Sequence, residues 1–229
     1  MSVSLLNRAL KEILNTEDPK EALALTLENI QEYPTNYQFH CLAGKYATTL
    51  QDIPKSIEYL EKATLLQPTK EPAWQGLEDI YATLHKEYSG TSREKATDDK
   101  WITIFTHWIQ CASKKRKIQV KMGKALMTCN APEKRKQAFD LWSELVPTSK
   151  NDNMLKVPLF IVTKMILSSP LVDNEEQELE LLTYGTSTKR IEMLNQLLEY
   201  YARSTEEEED FNLKQIITRY IGELLAYTS

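Results

Sequence analysis

Glycine is scarce in this chain, with six in 229 residues and nine prolines beside them. Six scattered glycines leave little room for a phosphate-cradling loop, and the low count of both residues suits a helical protein. Cysteine is scarcer still and odd in number. Cys41, Cys111 and Cys129 sit in helical contexts and imply no disulfide framework, which is what a reducing compartment permits. Long apolar runs are missing: nothing approaches the roughly 20 residues that cross a bilayer as a helix. The opening residues bring in Arg8, Lys11 and Glu12 too early for the apolar stretch of a signal peptide, so a cytoplasmic location is expected, with a nuclear one also open. An excess of positive charge is absent too. Twenty-eight Lys and Arg against 33 Asp and Glu give a net charge of -5, which argues against a general nucleic-acid binder but leaves room for a local basic patch. There is no Ser-His-Asp ordering and no pair of catalytic carboxylates. His107 and Cys111, one helical turn apart, make at most half a zinc site and have no second ligand pair, and Cys111 beside a Trp-rich stripe reads as core. No enzyme activity, cofactor or metal is expected.

What the chain does have is a period. Pro34 and Pro68 are 34 residues apart, as are Ala22 and the equally small Ser56, and 34 is the tetratricopeptide repeat length. Trp74, Leu77 and Tyr81 fill the first-helix positions of one copy, Gly44 the glycine of the copy before it, and Ser56, Leu60, Ala63 and Pro68 the second helix. Small residues let two antiparallel helices approach, large ones fill the gaps between ridges, and proline stops the second helix for want of an N–H. Glu78 stands where the third copy should have glycine.

The first repeat is predicted from the stripe Leu5, Leu6, Ala9, Leu10, Ile13 and Leu14 and a partner helix over 20–32, with Thr26 where an aromatic is expected. The second uses 37–50 and 54–66. The third opens over 71–86 and is then interrupted by a polar insertion at about 88–100, before a second helix with Trp101, Ile104, Phe105, Trp108, Ile109 and Ala112 on one face. A degenerate fourth copy follows, with Met122, Ala125 and Leu126, then Ala138, Trp142 and Leu145. The expected fold is an all-α, tetratricopeptide-like solenoid, a right-handed superhelix of antiparallel helix pairs whose last repeats are degenerate. Residues 3–150 form the repeat array, and 151–229 continue it as further helical hairpins over about 155–168, 174–184, 187–203 and 210–227, with Gly185 as a helix stop. The last helix has a wide apolar face, so it is expected either to fold back on its neighbours or to await a further capping unit.

At Ala73-Trp74-Gln75-Gly76-Leu77, followed by Ile80-Tyr81, the sequence resembles the amino-terminal region of the tetratricopeptide-repeat scaffold subunit of the superkiller (Ski) complex. Asn36-Tyr37, Gly44, the stretched third repeat with its Lys100-Trp101 helix, and the segment 135–142 agree with that family, and the resemblance covers about residues 5–145. It implies a non-catalytic scaffold supporting an RNA helicase and a WD40-repeat subunit in an assembly that feeds RNA to the cytoplasmic exosome for 3'-5' mRNA decay. Family members are longer, and this piece would be the amino-terminal arm that gates the helicase and meets the exosome. Partners would be other proteins, with any RNA contact indirect and no membrane.

Two candidate surfaces emerge. The concave groove of such an array is lined by the first helix of each repeat, where this chain places Asn7 and Lys11, then Cys41 and Lys45, then Gln75 and Asp79. A co-chaperone-like clamp on a peptide's terminal carboxylate needs cations and amides there, and Asp79 would repel that ligand. Unspecialised groove contacts, as in a generic tetratricopeptide adaptor, fit the residues better. The second surface is the basic cluster Lys114, Lys115, Arg116, Lys117, Lys121 and Lys124, either a solvated helix face or the contact of an RNA-binding regulator. The acidic run 206–210 reads as a polar loop before the last helix, or as a contact for basic partners.

Overall fold

The computed structural model describes residues 3–146, 153–170, 172, 184–203 and 208–227. Among these residues there are eleven α-helices and no strand. They are α1 (Val3–Asn15), α2 (Pro19–Glu32), α3 (Tyr37–Thr49), α4 (Ile53–Leu66), α5 (Glu71–Tyr88), α6 (Glu94–Cys111), α7 (Lys115–Thr128), α8 (Pro132–Ser143), α9 (Lys156–Ser168), α10 (Ser187–Arg203) and α11 (Glu208–Tyr227). The described residues are all-α: from α1 to α6 each helix packs on the next in the manner of a solenoid, and further on α8 packs on α9, α9 on α10 and α10 on α11. The chain divides into two compact units, Met1–Lys115 and Arg116–Ser229, so the division expected at residue 150 falls inside the second.

Local chemistry sets the helix starts of the first unit. Asp18, Asn36 and Asp52 cap α2, α3 and α4 by accepting backbone N–H bonds from Lys20 (3.1 Å), Gln38 (2.9 Å) and Lys55 (3.3 Å), each satisfying a donor the helix cannot. Prolines in the first turns of α2, α4 and α5 sit where no intrahelical donor is needed. The turn after α3 closes by a Schellman arrangement: Gln51 N donates to Thr48 O and Asp52 N to Ala47 O, with Gln51 at φ 62°. A glycine usually takes that left-handed position.

The 34-residue period is visible atom by atom. Trp74 Nε1 donates to Pro68 O at 2.8 Å, and one repeat earlier His40 Nε2 lies 2.8 Å from Pro34 O. His40 is thus buried packing in the tryptophan's place. Leu60 of α4 inserts between Gly44 of α3 and Gly76 of α5; a Cβ on Gly44 would lie 2.5 Å from Leu60 Cγ, and one on Gly76 3.0 Å from Leu60 Cδ1. The two glycines set how near the first helices of successive repeats come, and α3 touches α5 directly.

Two local expectations change. Leu5 and Leu14, 56% and 59% exposed, lie off the packed face of α1, which is held through Ile13. The polar stretch 88–100 is not a long loop: the connection is confined to 89–93, and α6 starts at Glu94. Its apparent polarity comes from an exposed first turn and from Asp98, which is buried because His85 Nδ1 lies 2.7 Å from its Oδ1. Thr26 replaces an aromatic without leaving a polar orphan, since its hydroxyl donates to Ala22 O at 2.6 Å.

In the second unit, Trp142 of α8 lies against Gly123 of α7, where an added Cβ would overlap the indole. Trp142 shares a core with Leu155, Leu159 and Ile166 and with Leu194, Leu197 and Ile217. The last helix folds back on α10, burying Leu213, Ile217 and Leu224 while Ile216 and Leu225 stay exposed. Arg190 of α10 is fully buried, and its guanidinium donates to Gly185 O (2.6 Å), Ser169 O (3.0 Å), Ser169 Oγ (3.1 Å), Pro170 O (2.6 Å) and the Tyr220 hydroxyl (3.4 Å). All five donors are used, every acceptor uncharged, and the end of α9 is tied to α10 and α11. Gly185 has φ 93°, while most of the helix it was expected to stop, at 174–184, lies outside the described residues. The break at 147–152 and the start of the acidic run 206–210 also lie outside them; that run's last three residues open α11.

Candidate functional site

Because Leu60 fills the space beneath α3 and α5, the two helices leave a groove of about 900 Å3 above it. Its walls follow from helical spacing. On α5 the residues Pro72, Gly76, Ile80 and Leu84 recur every fourth position and form an apolar floor, and the adjacent row Glu71, Gln75, Asp79, Thr83 and Glu87 forms a polar rim. From α3 come Cys41, Leu42, Lys45, Thr48 and Thr49, and Gln51 and Ile53 close one end.

Of the six residues expected to line a groove, Cys41, Lys45, Gln75 and Asp79 are brought together here. Asn7 and Lys11 are exposed on α1 and are not part of this lining. Glu71, Thr83 and Glu87 were not singled out from sequence, although stepping by four from Gln75 and Asp79 reaches all three. They matter for the sign of the field. The groove carries three carboxylates, Glu71, Asp79 and Glu87, against the single ammonium of Lys45. Among the described residues none of these three acids is held in an ion pair, unlike Glu61, which meets Lys100 at 2.9 Å, or Asp52, which meets Lys55 at 3.0 Å.

The groove thiol is not poised for chemistry. Burial pushes the Cys41 thiol up, against the opposing pull of its hydrogen bond with Tyr37 and the Lys45 charge, so at neutral pH it is held as the thiol, slow to react and not an activated nucleophile. Tyr37 is pushed up to about 12, first by burial and then by Cys41, while its hydroxyl accepts the Ala73 N–H at 3.2 Å and so pins the start of α5 to α3. An apolar floor, an acidic rim and neutral hydroxyls can hold a segment of another molecule; they place no activated nucleophile there.

The basic cluster is spread around a helix. Lys117, Lys121 and Lys124 follow one face of α7, Lys115 and Arg116 point elsewhere by helical spacing, and Lys114 precedes the helix. His107 is exposed and Cys111 half-buried on α6. The described residues include no helix long and apolar enough to cross a membrane. No protein-family model matches the chain, and no curated protein matches it.

Proposed function

We propose that this chain is a non-catalytic protein-interaction scaffold whose docking surface is the groove between α3 and α5. The observation that carries the reading is the pairing of a continuous apolar floor, Gly76, Ile80 and Leu84, with a row of polar side chains at one helical stride, Glu71 half-buried and Gln75, Asp79, Thr83 and Glu87 exposed. A concave site with an apolar base and a few polar groups along one edge is the usual geometry for gripping a ligand. The glycine contacts at Leu60 hold the walls at fixed separation, so binding would cost little rearrangement. The specific form of the proposal is the amino-terminal arm of a Ski-complex-like scaffold, serving an RNA helicase and the cytoplasmic exosome. Its support is the sequence resemblance around Trp74-Gln75-Gly76-Leu77.

The test is a pull-down from cell extract with the chain and with a variant whose groove is filled, Gln75→Trp/Thr83→Trp, both exposed positions. The expected result is an RNA helicase or exosome subunit retained by the chain and lost with the variant. Equal retention by both proteins would remove the groove from the reading, and retention of neither class of partner would remove the Ski-like form. A second reading is supported by the lysine face of α7: an RNA contact through Lys117, Lys121 and Lys124 would weaken steeply with salt and disappear when the three are neutralised.

A further inference from the structure

The rim row of α5 has a spacing as well as a sign. Glu71, Asp79 and Glu87 are eight residues apart along one helix, which at 1.5 Å per residue steps them about 12 Å along the axis, on a row that winds about 80° round the helix at each step. Gln75 and Thr83, between them, are neutral. An extended chain advances about 3.3 Å per residue and returns to the same face at every even step, so its residues i and i+4 are about 13 Å apart and point the same way. The two ladders match in their step along the helix axis.

We infer that the groove takes an extended protein segment bearing lysine or arginine at every fourth position, with apolar residues between that rest on Gly76, Ile80 and Leu84. This rests on the docking reading above and adds the chemistry of the partner. The three carboxylates lack ion-pair partners among the described residues, so a cationic ligand has no internal competitor to displace. Lys45 is the one group of the wrong sign, set on the opposite wall. A nucleic acid is refused by the same field, and so is a segment led by its own carboxylates.

The test uses synthetic extended peptides of one apolar sequence with lysine, glutamate or serine at every fourth position, followed by fluorescence anisotropy on the full chain. Slowed alkylation of Cys41 relative to the free chain, at mildly alkaline pH where the thiol reacts and resolved from Cys111 by mass spectrometry, reports whether the groove is occupied. The lysine peptide should bind, protect Cys41 and weaken as salt rises. Neutralising the rim with Glu71→Gln/Asp79→Asn/Glu87→Gln should weaken it on the order of tenfold, three surface pairs at the usual worth of each. Lys45→Gln should tighten it, a sign that misfolding cannot imitate. Equal binding of the serine or glutamate peptide, with Cys41 protected, overturns the basic specificity and leaves the docking reading standing. If no peptide protects Cys41 the inference fails, and the pull-down with the filled groove decides the docking reading by itself.

Discussion

Leu60 is the place to test the packing, because it is clamped between two glycines that respond differently to one added methyl group. At Gly44 a Cβ would sit 2.5 Å from Leu60 Cγ, 2.8 Å from Cδ2 and 3.3 Å from Ser56 O. The first of these is the branch point of the side chain, and the last is backbone, so neither moves aside cheaply. Overpacking a core in this way costs at most about 3 kcal/mol in ordinary cases, and replacing glycine by alanine inside a helix returns about 1 kcal/mol. Gly44→Ala should therefore destabilise by about 2 kcal/mol. At Gly76 the nearest atoms are the methyl ends Cδ1 and Cδ2, at 3.0 and 3.3 Å, which yield by small rotations. There the helix gain offsets most of the clash, and Gly76→Ala should stay within about 1 kcal/mol of neutral. Urea unfolding followed by helical circular dichroism reads both as a shift of midpoint at constant slope. Leu60→Ala closes the cycle: alone it should cost about 2–5 kcal/mol, but combined with Gly44→Ala the new methyl enters the space it vacates, so the double variant should be less damaged than the sum by about 1–3 kcal/mol. A neutral Gly44→Ala, or strict additivity with Leu60→Ala, would refute the argument that this contact sets the separation of α3 and α5.

Other positions give independent checks. Trp74→Ala removes a buried indole and its bond to Pro68 O, and should cost roughly 3–5 kcal/mol in urea melts; a loss under about 1 kcal/mol would place Trp74 outside the repeat core. Gln51→Gly relieves a left-handed conformation that an L side chain adopts at a cost of about 1–2 kcal/mol, so it should raise stability by up to about 1 kcal/mol once the looser unfolded chain is counted, and a lower midpoint would contradict it. Arg190→Met strands the carbonyls of Gly185, Ser169 and Pro170 in the interior and should destabilise by more than about 3 kcal/mol, with Arg190→Lys recovering only part because an ammonium has three donors for five acceptors; a methionine variant as stable as the parent would exclude the clamp. Tyr37 has a folded pKa above its unfolded value near 10, so the stability it contributes is complete below that pH and is lost as pH rises through about 12. An absorbance titration of the chain minus that of Tyr37→Phe should place one phenol near 12, and a midpoint near 10 would show that the ring is not buried as described.

The sequence carried the helix pairs wherever a rule was local. The proline at Pro68, the small residue at Ser56 and the stripe from Trp101 to Trp108 each answer to a single helix, and the structure buries Ser56 and that stripe as the pattern requires. The errors fall where two helices must be known together. Leu5 and Leu14 belong to the apolar stripe of α1, yet only the neighbour's position decides which edge of a stripe is covered, and here it covers Ile13. The stretch 88–100 looked like an insertion because it is polar throughout, and its buried charge, Asp98, has its partner His85 thirteen residues away on another helix. Arg190 escaped notice for the same reason, since its acceptors come from Ser169, Pro170, Gly185 and Tyr220, mostly carbonyls with no signature in the sequence. The groove was half legible. Cys41, Lys45, Gln75 and Asp79 follow from repeat positions, but the acids flanking them on the same row need the helix axis to be drawn through Glu71 and Glu87.

The groove and the core are one construction. Leu60 contacts both glycines and also lines the groove floor, so the atoms that keep α3 and α5 apart are the atoms on which a ligand would rest. A bulkier residue at Gly44 could be accommodated only by parting the helices, which widens the groove and costs packing at once. A polar residue at Leu60 would drown the floor and leave Gly44 facing a void. Those positions are therefore constrained twice, whereas Glu71, Gln75, Asp79, Thr83 and Glu87, which touch solvent along the rim, are free to vary without loss of fold. Fixed walls with a replaceable edge would let one helical stride hold different partners by changing charge alone, and in this chain the edge carries three acids that face one lysine on the opposite wall.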